Sequence, residues 1–89
     1  MTCIILIHCA ADGRSTSLDG EYLVGYEDAG DHVGLVATTA EISDAKLFAN
    51  LTEAVEFWKQ QSVLCPIRPD GKPNRPLTAF TIEVIPVDR

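Results

Sequence analysis

Basic side chains are scarce in this chain: seven Lys and Arg stand against thirteen Asp and Glu, for a formal net charge of −6 at pH 7. That balance works against sequence-independent attraction to phosphate backbones or anionic membranes. Protein partners, especially ones with basic surfaces, are expected instead. Cysteine is equally thin, with three residues and no C-x-x-C pair, which argues against a disulfide framework. Cys3 and Cys9 on one strand would lie about 20 Å apart at roughly 3.3 Å per residue, too far to bridge. His8 and Cys9 are neighbours and point to opposite faces of a strand, so with Cys3 and Cys65 they form neither a metal set nor a Cys-His nucleophile pair. His32 sits beside Asp31 in a turn and reads as solvated. The apolar run Ile4 to Ile7 has no basic residue before it, so it is expected to be neither a signal peptide nor a membrane span. A cytoplasmic protein is the resulting expectation. The glycines at 13, 20, 25, 30, 34 and 71 never form G-x-G-x-x-G or a phosphate-binding loop. We therefore expect no enzyme activity, no cofactor and no metal.

What is present organises around Asn50 to Gln61. Leu51, Ala54, Val55 and Trp58 recur at i, i+3, i+4 and i+7, the spacing of one buried helical stripe, which Phe57 widens. Asn50 followed by Glu53 reads as an N-cap with its capping box. Thr52, Glu53, Glu56, Lys59 and Gln60 fall on the wet side, with Glu56 and Lys59 spaced to pair weakly. Cys3 to Cys9 is apolar on both alternating faces, as a central strand should be. Ala11 to Gly20 is turn chemistry throughout. Glu21 to Glu27 alternates as a half-buried strand with Gly25 at a bulge, Asp28 to Asp31 reads as a hairpin turn, and His32 to Thr38 as the returning strand. Between Thr39 and Asn50 a smaller helix is expected, capped by Ser43 and using Ile42, Ala45, Leu47 and Phe48 as apolar contacts. Cys65 to Leu77 holds four prolines and a glycine and is expected to be irregular. Thr78 to Val87 closes the chain as a strand that Pro86 ends or marks as an edge.

The expected fold is α+β, a two-layer sandwich over residues 1–89 as a single domain. A four-stranded antiparallel or mixed sheet carries one long and one short helix on one face, in the order β-β-β-α-α-β. The last strand should lie beside the first.

Two surfaces could carry function. The segment Pro66 to Pro76 gathers Arg68, Lys72 and Arg75, three of the seven basic residues, on backbone stiffened by proline. Such a segment can present an arginine fork to a carboxylate or phosphate at little entropic cost. The competing reading is that these cations pair with acidic groups of the same chain and pin the loop. Asp44, Glu53 and Glu56 on the helices, with Glu27, could form an acidic face that meets a basic groove on a partner, or they could simply be solvated. Glu27, Asp28 and Asp31 lack the spacing and the closing glutamate of a calcium loop.

The segments YLVGYEDAG, DAKLFANLTEAVEFWKQQS and RPDGKPNRPLTAFTIEV resemble a group of small proteins of bacteriophages and prophages of proteobacteria, over about Tyr22 to Val84. The tail is the most specific part of the likeness. The resemblance brings no catalytic residues with it. In size, charge and origin it is similar to anti-CRISPR proteins, and so implies a stoichiometric, non-enzymatic inhibitor of a host defence protein. Blocking nucleic-acid access to a CRISPR-Cas complex would engage Glu27, Asp44, Glu53 and Glu56, or Arg68, Lys72 and Arg75. The alternative reading is a nucleic-acid-associated accessory protein of phage replication or recombination, with Arg68, Lys72 and Arg75 on phosphates and Tyr22 or Tyr26 stacking on bases. A homodimer joined at a sheet edge is a third.

Overall fold

A computed structural model describes residues 2–27 and 35–88. The expected hairpin turn at Asp28 to Asp31 and the first residues of the third strand, His32 to Gly34, lie outside these.

The four strands β1 (Cys3–Ala10), β2 (Tyr22–Glu27), β3 (Leu35–Thr39) and β4 (Phe80–Pro86) form one sheet in the order β3-β2-β1-β4, antiparallel throughout. β1 is interior, as its two apolar faces require, and Ile4 and Ile5, which point to opposite sides, are both 0% exposed. β4 pairs with β1 from Cys3↔Pro86 to Ala10↔Phe80, with a register shift between Ile7 and Cys9. The β2–β3 register also shifts between Leu23 and Gly25, at the bulge that Gly25 suggests.

The one α-helix among the described residues, α1 (Leu51–Trp58), lies on one face of this sheet. Its Asn50 cap is formed, the side chain accepting the Glu53 amide at 2.8 Å. Ala54 is fully buried, and Phe57 and Trp58 pack with Cys3, Ile5, Ile82 and Val84. Leu51, first of the predicted stripe, departs from it and is 61% exposed. The sheet ends beneath it, at Pro86.

The expected second helix is not formed. Ser43 sits inside a single 3-10 turn, Ile42–Asp44, whose N-cap residue is Glu41 and has no side-chain cap. The reason lies just downstream. The Lys46 amide donates to the Leu23 carbonyl at 2.9 Å, and Phe48 exchanges two backbone bonds with Cys3, at 2.8 and 2.9 Å. β1 and β2 pair in register only at Leu6↔Tyr22. The segment 46–48 therefore takes the place of a sheet neighbour beside the start of β1, and its extended backbone cannot also be helical. Phe48 is thereby driven into the core, 1% exposed and 5.3 Å from the Phe57 ring. The chain order is thus β-β-β, one turn of 3-10, α, a second 3-10 turn at Pro76–Ala79, then β.

Candidate partner-binding surfaces

Residues 62–75 contain no strand or helix, as expected of their proline content, yet they are not formless. Asn74 donates its amide to the Pro66 carbonyl at 2.9 Å, Arg68 donates to Lys72 at 2.8 Å, and Ile67 bridges Pro73. The result is a miniature hairpin. Its tip, Arg68-Pro69-Asp70-Gly71, is a β-turn closed by the Gly71 amide on the Arg68 carbonyl at 2.9 Å, with Pro69 presetting φ at the second position. Gly71 follows at φ +84°, where a side chain would be strained. Asp70 accepts the Lys72 amide at 3.0 Å and finishes the turn.

Two buried polar residues fasten this hairpin at its base. Asn74, 4% exposed, donates its side-chain amide to the Cys65 carbonyl at 2.8 Å. Ser62, 3% exposed, accepts the Cys65 amide on its hydroxyl at 2.9 Å and donates its own amide to the Asn74 carbonyl at 2.8 Å. Neither residue was singled out by sequence reasoning, which reads a polar residue within or just before a proline-rich stretch as loop. With Asn74→Ala the Cys65 carbonyl loses its donor inside the fold, at a cost of about 1–3 kcal/mol. Amide exchange of Ser62 and Arg68, followed by NMR, is expected to quicken about tenfold or more while that of β1 is unchanged.

The three basic side chains do not share one fate. Arg68 meets Asp70 at 3.5 Å with both groups about half exposed, so one cation is pinned within its own turn. The other ion pairs among the described residues are His8–Glu83 and Arg14–Asp12, neither of which involves Lys72 or Arg75. Arg68 and Arg75 come together on one cleft of about 300 Å³, lined also by Pro69, Asn74, Pro76 and Ala79. Sequence reasoning paired these arginines; it did not see the apolar side chains that the neighbouring stretch of chain leaves exposed. Val63, Leu64 and Ile67 are 85%, 63% and 52% exposed. Three large apolar side chains this open to water thus fall within residues 63–67, the stretch that leads into the hairpin.

The acidic candidates are dispersed by comparison. Glu53 and Glu56 are exposed one turn apart on α1, Asp44 is exposed in the 3-10 turn before it, and Glu27 ends β2 opposite Leu35. Glu56 and Lys59 do not reach ion-pair distance, contrary to the spacing. Tyr26 packs on the core and Tyr22 is half-buried, so neither ring stands fully in water. No set of three or more His, Cys, Asp or Glu among the described residues is arranged to hold a metal ion. No helix of the described residues is long and apolar enough to cross a membrane. No family model, curated protein or solved structure matches the chain.

Proposed function

We propose that this is a non-enzymatic binding protein, an inhibitor of the phage type that engages a CRISPR-Cas component of host defence and blocks its access to nucleic acid. The observation that carries the binding part is the fastened hairpin, which holds Arg68 and Arg75 on one cleft and leaves Val63, Leu64 and Ile67 in water. Arginine is enriched among the residues that carry binding energy at interfaces, and exposed apolar groups on the same segment add area removed from water on docking. A hairpin already ordered by its turn and base loses little entropy on docking. The identity of the target rests on a likeness to anti-CRISPR proteins in size, charge and origin. Glu27, Asp44, Glu53 and Glu56, spread over two elements and a turn, act in this reading through their summed field, speeding encounter with a basic partner.

The test is a pull-down of the tagged protein from its bacterial host at low and high salt, with bound proteins identified by mass spectrometry. A Cas protein captured at low salt, and captured at least tenfold less by the Arg68→Ala, Arg75→Ala double variant, is the expected result. Recovery of no defence component would count against the target. Retardation of DNA in a mobility shift, abolished by the same double variant, would favour the accessory reading instead.

A further inference from the structure

β4 is an outer strand of the sheet, and its free edge has a regular pattern of donors and acceptors. The Val87 amide donates to the Thr2 carbonyl at 2.9 Å, which fixes the phase of the β1–β4 ladder. In that phase Ile85 and Glu83 bond to β1, while Ile82, Val84 and Pro86 turn their backbone groups outward. Among the described residues no backbone or side-chain group bonds to the outward N–H or C=O of Ile82 or Val84. The Phe80 carbonyl, next in that outward series, is already taken by the Trp58 indole at 3.2 Å. The open edge therefore runs from Ile82 to Pro86.

Directly above its end lies a cleft of about 300 Å³ lined by Cys3, Asn50, Leu51, Val84 and Pro86. Leu51 stands at this cleft 61% exposed, the residue of the helical stripe for which the sheet has no cover. An unpaired strand edge roofed by an uncovered leucine fits another strand that brings apolar cover with it.

We propose that the occupant is β4 of a second copy, paired antiparallel about a two-fold axis at Val84 to make one eight-stranded sheet. Val84 then faces Val84 of the second copy and exchanges both of its outward bonds. Ile82 faces Pro86 of the second copy, so the one outward position with no N–H lies at the rim and contributes only its carbonyl. Glu83 is the only ionisable residue of β4, and this register sets it against Ile85. Shifting the axis by one residue to Glu83 would oppose two like charges at the closest cross-strand distance, which is unfavourable. The Val84 axis also brings both copies of Leu51 over the new junction, each on an apolar cleft. The match is self-complementary, as an isologous interface must be.

Sedimentation equilibrium of the full chain between about 10 µM and 1 mM tests this, since weak interfaces of modest area associate in that range. The average mass is expected to rise from the 9.7 kDa protomer toward twice that value. Leu51→Glu places a carboxylate at the first position of α1, where it suits the helix, so the monomer stays folded. It is expected to weaken the dimer about tenfold by setting two charges over an apolar junction. Val84→Pro removes an outward N–H that β1 does not use and is expected to abolish the dimer, with the circular dichroism of the native sheet confirming the fold. A native protein that stays monomeric at 1 mM, or a dimer indifferent to Leu51→Glu, overturns the proposal.

Discussion

Phe48→Ala is expected to lower the unfolding free energy by about 3–5 kcal/mol, the range for deleting a buried ring. In a domain of this length that corresponds to a fall in melting temperature of about 12 °C or more. The ring is 1% exposed, packs on Phe57 at 5.3 Å and has the Lys46 ammonium 5.7 Å from its centre. It cannot be replaced by collapse of its surroundings. The backbone of residue 48 is held on both sides by the two bonds to Cys3, which prevent the segment from moving inward to fill the space. A void that cannot relax costs the lost transfer energy and the lost contacts together. Since small domains are stable by only about 5–15 kcal/mol, the variant should have a visible unfolded population in mild urea. Phe48→Leu, which keeps most of the volume, should recover the larger part of the loss. A loss below about 1 kcal/mol for Phe48→Ala would mean that the backbone bridge, and not the ring, carries the segment.

That same residue shows where the sequence was readable and where it was not. Asn50, Glu53 and Ala54 were legible because a cap and a buried alanine are set by positions within one helix. The antiparallel sheet, the interior place of β1, the bulge at Gly25 and the edge at Pro86 were legible because alternation and proline chemistry are local too. Phe48 was assigned to a second helix from the apolar spacing of Ile42, Ala45 and Leu47. What decided against that helix is a distant partner, the unpaired start of β1, whose backbone groups must be satisfied by something. Ile42 and Leu47 accordingly stay 48% and 44% exposed. Leu51 failed for a related reason. Periodicity tells which residues share a face of a helix, and says nothing of how far along that face the sheet extends.

The hairpin at 66–74 lay between these cases. Its turn was in plain view, since Arg68-Pro69-Asp70-Gly71-Lys72 is the proline, aspartate, glycine sequence that a type I turn with a following glycine demands. Counting prolines hid it, because proline excludes long ladders and says little against a ladder of two bonds. Arg68 and Arg75 were paired in the sequence as a fork for a carboxylate or phosphate, whereas the cleft that both line is a feature of the folded hairpin. The exposed apolar residues Val63, Leu64 and Ile67 were passed over, because exposure of an apolar side chain is a property of the folded surface and has no sequence signature.

Trp58→Ala is expected to cost about 3 kcal/mol, at the low end for a large ring because the side chain is only half-buried. Trp58 also joins α1 to the chain that returns from the hairpin. Its Nε1 donates to the Leu77 carbonyl at 2.9 Å and to the Phe80 carbonyl at 3.2 Å. Leu77 keeps a second partner, the Phe80 amide that closes the 3-10 turn Pro76–Ala79. The Phe80 carbonyl, turned outward from β1, has the indole as its partner from within the fold. Trp58→Phe separates the two contributions: it retains most of the packing and loses both hydrogen bonds, for about 1–3 kcal/mol. Arg75 and Pro76 lie at the start of that 3-10 turn, so loosening it displaces one wall of the arginine cleft. Trp58→Phe should therefore weaken partner capture without touching a charged residue. It differs from Arg75→Ala in one readout, because only the tryptophan variant should quicken amide exchange at Thr78 and Phe80. Equal exchange in both variants, with binding lost only in the arginine one, would mean that the cleft stands without the indole.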